Sequence, residues 1–255
     1  MMCTLVISCR QESQWPIIIG SNRDEMADRP WLPPDRHWPD RPDVIAGLDQ
    51  QAWGSWLGMN DYGVVAAVNN RNGSLGAQID KRSRGELVLE SLDHSAAADA
   101  VDALIQLNPA AYRPFNLLIA DAHDAFWIRH IDPMETNSIE AVRVPQGVSM
   151  LTAFDLNDKR CGRTQTYLPL FKDAQRPQPD KDDWGEWETL FLSRNSSSIT
   201  DASGSMRIIT ETGFNTISSS LIALPATSSG ANPIWRFARR FPQADPYETI
   251  PLDNR

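Results

Sequence analysis

The sequence predicts an α+β fold of two packed sheets with helices outside them. Short β-like runs bounded by turn residues fill the first third of the chain. Amphipathic helical stretches follow. Strands, helix and strands then alternate toward the C-terminal end. No internal repeat interrupts that order, and the length of 255 residues is enough to bury a substantial core.

The first strands are expected at Thr4–Ser8, Ile17–Ser21, Ser55–Met59 and Val64–Val68, with Asp61-Tyr62-Gly63 as a hairpin connection. Between them Pro30, Pro33, Pro34, Pro39 and Pro42 exclude helix interior and central strand. That segment also carries Trp31, His37 and Trp38, and reads as an ordered surface strap. Ser83-Arg84-Gly85-Glu86 has the spacing of a capping box, and Leu87, Val88 and Leu92 follow it with helical period. Ser95 is placed to cap a second helix through Ala98, Val101, Leu104 and Ile105, which Asn108-Pro109 ends. Strands are expected again at Asn116–Ala120, Ala125–His130, Ala141–Val144 and Val148–Thr152. Helix is expected from Thr164 and over Trp184–Leu192, with a mobile polar loop at Arg176–Asp183 between them. Strands near Thr216–Leu224 and Ile234–Ala238 close the chain.

Composition narrows the function. Hydrophobic residues make up 41% and charged residues 22%, as in a water-soluble globular protein, and the formal net charge is −9. An acidic chain without a basic cluster repels nucleic acid and anionic membrane surfaces, so neither is expected as a partner. No apolar run is long enough for an integral membrane segment, and no secretory leader is evident; a cytoplasmic location is expected. The three cysteines (Cys3, Cys9 and Cys161) are an odd number without regular spacing, which argues against a disulfide framework. His37, His94, His123 and His130 form no zinc-binding pattern, and no metal is expected.

Cys3 opens the first strand. A cysteine that becomes the first residue holds two reactive groups. Its thiol attacks a carbonyl, and its α-amine, with an ordinary pKa of about 7.7–8.0, takes the thiol proton at neutral pH. The alternative is a small residue opening a buried strand. Gly20-Ser21-Asn22-Arg23-Asp24-Glu25 follows a hydrophobic strand, either at the mouth of a site or as a solvated turn. Asn69-Asn70 ends another strand. These two are either amide donors for an oxyanion or turn caps. Trp31, Trp38, Trp53 and Trp56 flank the same region and are suited to line an apolar pocket.

Cys3-Thr4, Asn22-Arg23-Asp24-Glu25, Trp53-Gly54-Ser55-Trp56-Leu57-Gly58, Ser83-Arg84-Gly85 and Phe115-Asn116-Leu117-Leu118 resemble, in that order, the NRDE family, also called the Transport and Golgi organization protein 2 family. The match runs from Cys3 to about His130, and Trp235-Arg236-Phe237 and Arg240-Phe241 look like the family's final strand. The resemblance implies a single domain over residues 1–255. More remotely, Cys3-Thr4, Gly20-x-Asn22-x-Asp24 and Gly58-Met59-Asn60-x-x-Gly63 are similar to the choloylglycine hydrolase and penicillin V acylase group. These are N-terminal-nucleophile hydrolases, with a four-layer αββα fold.

That second resemblance implies Cys3 as nucleophile and base, Asp24 orienting the α-amine, and Asn69 or Asn70 in the oxyanion hole. Asn22 and Arg23 complete the candidate catalytic set, and Glu25, Trp31, Trp56 and Arg84 the candidate ligand pocket. The chain departs from the acylases at Ser21, where they carry arginine, and at Leu151-Thr152-Ala153, where they carry Leu-Thr-Asn. It departs from the NRDE family at Gly213-Phe214-Asn215-Thr216-Ile217-Ser218, where Gly-Thr-Arg-Ser is usual. Arg23 is expected on the strand face opposite the missing acylase arginine. Catalysis also requires the loss of Met1 and Met2, or a start at Met2, so that Cys3 is exposed.

Two functions follow. One is hydrolysis of an amide or thioester of a small or acyl substrate, with no cofactor required. The other, which the family resemblance suggests, is a non-catalytic carrier for haem or acyl-CoA and lipid. There is no Cys-x-x-Cys-His attachment motif, and His37 stands as a candidate axial ligand.

Overall fold

The computed structural model describes residues 3–131, 138–195 and 204–252. In chain order the strands of the first half are β1 (Thr4–Cys9), β2 (Ile17–Met26), β3 (Trp31–Asp35), β4 (Val44–Asp49), β5 (Leu57–Asn60) and β6 (Val65–Asn70). Helices α1 (Gly85–Leu92) and α2 (Ala97–Leu104) follow, then β7 (Phe115–Ala120), β8 (Ala125–His130), β9 (Ile139–Arg143) and β10 (Gly147–Leu151). Helices α3 (Gly162–Asp173) and α4 (Glu186–Leu192) precede β11 (Phe214–Leu224), β12 (Ile234–Arg239) and β13 (Glu248–Thr249). The fold class is α+β, as the sequence predicts.

The elements fall into two units, one from the segments up to Asp28 and from Pro145 to Pro251, the other from Arg29 to Val144. The first unit is a six-stranded antiparallel sheet in the order β10-β1-β2-β11-β12-β13. Its centre is β2, opened by Ile17-Ile18-Ile19. Three successive β-branched side chains suit a strand buried on both faces. Alternation divides those faces. Val6, Ile18, Met150, Leu221 and Ala223 face α3 and α4 and pack with Tyr167, Phe171, Trp187 and Phe191. Gly20 lets α4 sit down on the sheet, because a Cβ there would lie 2.2 Å from Phe191 Cε2.

The second unit is a seven-stranded antiparallel sheet in sequence order, β3 to β9. Leu87, Val88 and Leu92 of α1 and Ala97, Val101 and Leu104 of α2 pack on Ala66, Leu117, Ile119 and Ile128. The turn expected at Asp61-Tyr62-Gly63 joins β5 to β6. There Gly63 takes φ +83°, a conformation that favours glycine.

Several expectations are corrected. The proline segment contributes an edge strand, β3, where the missing amide hydrogens of Pro33 and Pro34 cost the sheet little; β4 is additional. The capping box does not form. Ser83 Oγ accepts from Gly85 N, α1 has no side-chain cap, and Glu86 is drawn instead into an ion pair with Arg82. Ser95 does not cap α2 either; Asp121 Oδ2 accepts from Ala97 N at 2.8 Å. The Arg176–Asp183 stretch is folded rather than open. Arg176 donates to Ser8 Oγ, Ser13 Oγ and the Trp15 carbonyl, Gln178 bridges to Asp183, and Pro179–Lys181 forms a 3-10 turn. Met1 and Met2 lie outside the described residues.

Candidate functional site

Asn22-Arg23-Asp24-Glu25 is neither a turn nor the residue run after a strand. It lies within β2, paired on one side with β1 (Thr4 opposite Asn22) and on the other with β11 (Ser219 opposite Asn22, Ser218 opposite Arg23). The motif is therefore split by alternation into two half-motifs on opposite faces.

Asn22 and Asp24 take the face toward α3 and α4. Asn22 Nδ2 donates to the carbonyls of Phe191 and Met206, both at 2.9 Å, and Ser219 Oγ donates to Asn22 Oδ1 at 2.6 Å. Arg240 Nε donates to Ser219 Oγ at 2.9 Å, extending the chain to β12's end. Asp24 accepts from Arg163 Nη1 at 3.0 Å and from Thr216 Oγ1 at 2.5 Å, and Arg163 Nη1 also donates to Thr4 Oγ1. Both side chains of the Asp24–Arg163 pair are fully buried. Burial pushes the Asp24 carboxyl up from its ordinary range, against Arg163 and Thr216, which pull it down.

Cys3 immediately precedes Thr4, and alternation sends it to the other face with Ser21, Arg23 and Glu25. It is partly buried, and its Sγ donates to the main-chain carbonyl of Asp24 at 3.6 Å. Burial, then the Asp24 and Glu25 charges, push the thiol up from 9.0 to about 12, while Arg23 pulls the other way. Asp24 thus meets Cys3 through its backbone, and its carboxylate is turned to the helices. Ser21 and Arg23, two residues apart in one strand, share a face; the opposition expected between Arg23 and the missing acylase arginine does not hold, because alternation has period two. Glu25 Oε1 accepts from Met26 N.

The remaining candidates lie in the second unit. Asn69 and Asn70 pair with Asn116 and Phe115 of β7. Phe115 and Val68 pack with α1 and α2, so Asn70 is on the helix face and Asn69 on the other. Asn69 shares its face with Asn116, whose Oδ1 accepts from Arg71 Nη1 and Trp127 Nε1. Trp31 and Trp56 meet edge to face at 5.7 Å, and Trp56 packs over Gly47. Arg84 ties down a loop through the carbonyls of Ser74 and Pro114. His37 Nε2 lies 2.8 Å from the Pro33 carbonyl.

Sequence reasoning missed Arg163. It stands 139 residues from its carboxylate, at the start of a helix expected only from Thr164 onward. Polar neighbours at Lys159, Arg160, Thr164 and Gln165 give no local sign that this arginine is buried.

The architecture is shared with solved hydrolases. A Caenorhabditis elegans N-acylethanolamine-hydrolyzing acid amidase ortholog superposes with TM-score 0.54 at 16% identity, covering 86% of this chain and 92% of that one. Two variants of the conjugated bile acid hydrolase from Clostridium perfringens superpose with TM-scores 0.52 and 0.54, at 11% and 13% identity. They cover 100% and 99% of this chain, and 94% of theirs. The fold is therefore that of the N-terminal-nucleophile hydrolases. The model of the family described as Transport and Golgi organisation 2 matches residues 2–224, and the chain belongs to that family. No curated protein sequence matches it significantly. No described helix is long and apolar enough to cross a membrane.

Proposed function

We propose that the chain is an N-terminal cysteine hydrolase that cleaves the amide bond of an N-acyl conjugate, with Cys3 as nucleophile. The observation that carries this is the position of Cys3. It is held at the head of the strand next to β2, partly exposed, with its Sγ fixed by the Asp24 carbonyl and with Arg23 on the same face. The substrate class follows the structural relatives, an N-acylethanolamine-hydrolyzing acid amidase and a conjugated bile acid hydrolase. Fold alone does not fix chemistry, and for that reason the proposal rests on the cysteine.

While other residues precede Cys3, its nitrogen is a peptide amide, and a thiol pushed up to about 12 is almost wholly protonated at pH 7. Once Cys3 is the first residue, its own amine receives the thiol proton as Sγ attacks the acyl carbonyl. The amine then returns that proton to the departing amine, and water releases the acid from the thioester. The buried Asp24–Arg163–Thr216 group holds β1 against β2 and so fixes the direction of the nucleophile; it is a positioning device.

The test uses a chain released by a specific protease so that Cys3 is its first residue. It is offered N-dodecanoyl ethanolamine and N-dodecanoyl glycine, and free amine is measured. Turnover that Cys3→Ala abolishes supports the reading. Its absence in a folded chain whose first residue is confirmed by mass would overturn it.

A further inference from the structure

At the end of β1 away from Cys3 lies a cavity of about 710 Å³, within the range of small-molecule sites. Cys9, at that end, is six residues from Cys3, or about 20 Å along an extended strand, so the two places do not overlap. Arg10, Lys172 and Arg176 line it, and among the described lining residues there is no Asp or Glu. The half-buried Val148 and Ala174 add apolar lining, backed by the buried Phe171 and Trp187.

The three cations arrive from separate elements: Arg10 just after β1, Lys172 from the last turn of α3, and Arg176 from the folded segment beyond it. Among the described residues Arg176 is held by neutral oxygens: Ser8 Oγ at 3.2 Å, Ser13 Oγ at 2.6 Å, and the carbonyls of Trp15 at 2.6 Å and Pro16 at 3.4 Å. Burial and the neighbouring Arg10 charge pull its guanidinium down from the ordinary value. Arg10 and Arg176 repel each other at this cavity, and an anion between them would relieve that repulsion. Cations beside aliphatic carbon suit a ligand with an anionic head and an apolar body.

We propose that this cavity binds an amphiphilic anion, with a phosphate or carboxylate head between Arg10, Lys172 and Arg176 and an aliphatic stem against Val148 and Ala174. The site is independent of Cys3.

Calorimetric titration of the full chain with n-octyl phosphate, n-octanoate, inorganic phosphate and n-octylamine tests it. One or both octyl anions bind. Inorganic phosphate binds at least about tenfold more weakly, since burial of a few methylenes is worth that much. The octylamine does not bind. Lys172→Glu and Arg10→Glu, both at exposed positions, each weaken the octyl anion about tenfold while circular dichroism stays unchanged. A preference between the two octyl anions identifies the head. The proposal is overturned if neither octyl anion binds below millimolar concentration. It is also overturned if n-octylamine binds as well as they do, if inorganic phosphate binds as tightly, or if both charge reversals bind like the parent chain.

Discussion

On the face of β2 toward α3 and α4, Asn22 and Asp24 are buried and bonded to Phe191, Met206, Ser219, Arg163 and Thr216. On the other face Ser21, Arg23 and Glu25 accompany Cys3, whose thiol donates to the main-chain carbonyl of Asp24. The same four-residue motif serves both. Half of it fastens the strand to the helices, and half lies on the face of Cys3. A motif read as one site along the sequence is, in a strand, two sets of residues separated by the thickness of a sheet. The polar residues of the helix face hold the fold, and in the proposed reaction they would act only by holding Cys3 in place.

That division is broken most directly at Asp24. Asp24→Ala removes the carboxylate from a fully buried Arg163 and is expected to cost about 3–5 kcal/mol in urea unfolding. A loss below about 1 kcal/mol would mean that the helix face is not the structural half.

The Cys3 face predicts a pH effect. With its pKa raised from 9.0 to about 12, the thiol favours the folded state as the neutral form. Its contribution to stability is complete below pH 9 and is lost as pH rises through about 12. At pH 8 the thiolate fraction falls about a thousandfold, and the greater nucleophilicity of a more basic thiolate recovers part of that. In the chain that retains residues before Cys3, alkylation of Cys3 by iodoacetamide, read from its peptide mass, is therefore expected to be at least about 30-fold slower when folded than in urea. Equal rates would contradict the environment described for Cys3.

Gly20→Ala sharpens the contrast by forcing a Cβ toward Phe191. It is expected to cost about 1–3 kcal/mol and leave Cys3 alkylation unchanged, since Gly20 belongs to the helix face. Ser219→Ala, which removes the link between Asn22 and Arg240, is expected to cost about 1 kcal/mol by the same unfolding measurement. If Ser219→Ala altered Cys3 reactivity more than Gly20→Ala did, the two faces would not be separable.

Much of the fold was legible because period is local. The β8 run from Ala125 to His130, the α2 run through Val101 and Leu104, and the turn at Gly63 each announce themselves within ten residues, although Ala97 is buried rather than the expected Ala98. The order of short motifs was enough for the family. What stayed hidden depends on distant partners. Asp121 rather than Ser95 caps α2, and Arg82 rather than the Ser83 backbone amide takes Glu86. Arg163 completes Asp24 from the far side of the sequence, a pairing that leaves no periodic trace. The extent of β2 was hidden for another reason. Asn, Arg, Asp and Glu are poor strand formers, and their burial here is sustained by partners on β1, β11 and α3 that no local propensity reports.

Intact mass spectrometry after brief exposure to N-dodecanoyl serine β-lactone decides whether Cys3 acts as a nucleophile once it is the first residue. The chain beginning at Cys3 is expected to gain one acyl group, mapped to its first residue. The same chain in urea, the folded Cys3→Ala chain and a folded chain retaining residues before Cys3 should gain none at that position on the same timescale. Acylation that is equal in urea, or that persists in Cys3→Ala, would show that the fold does not activate this cysteine.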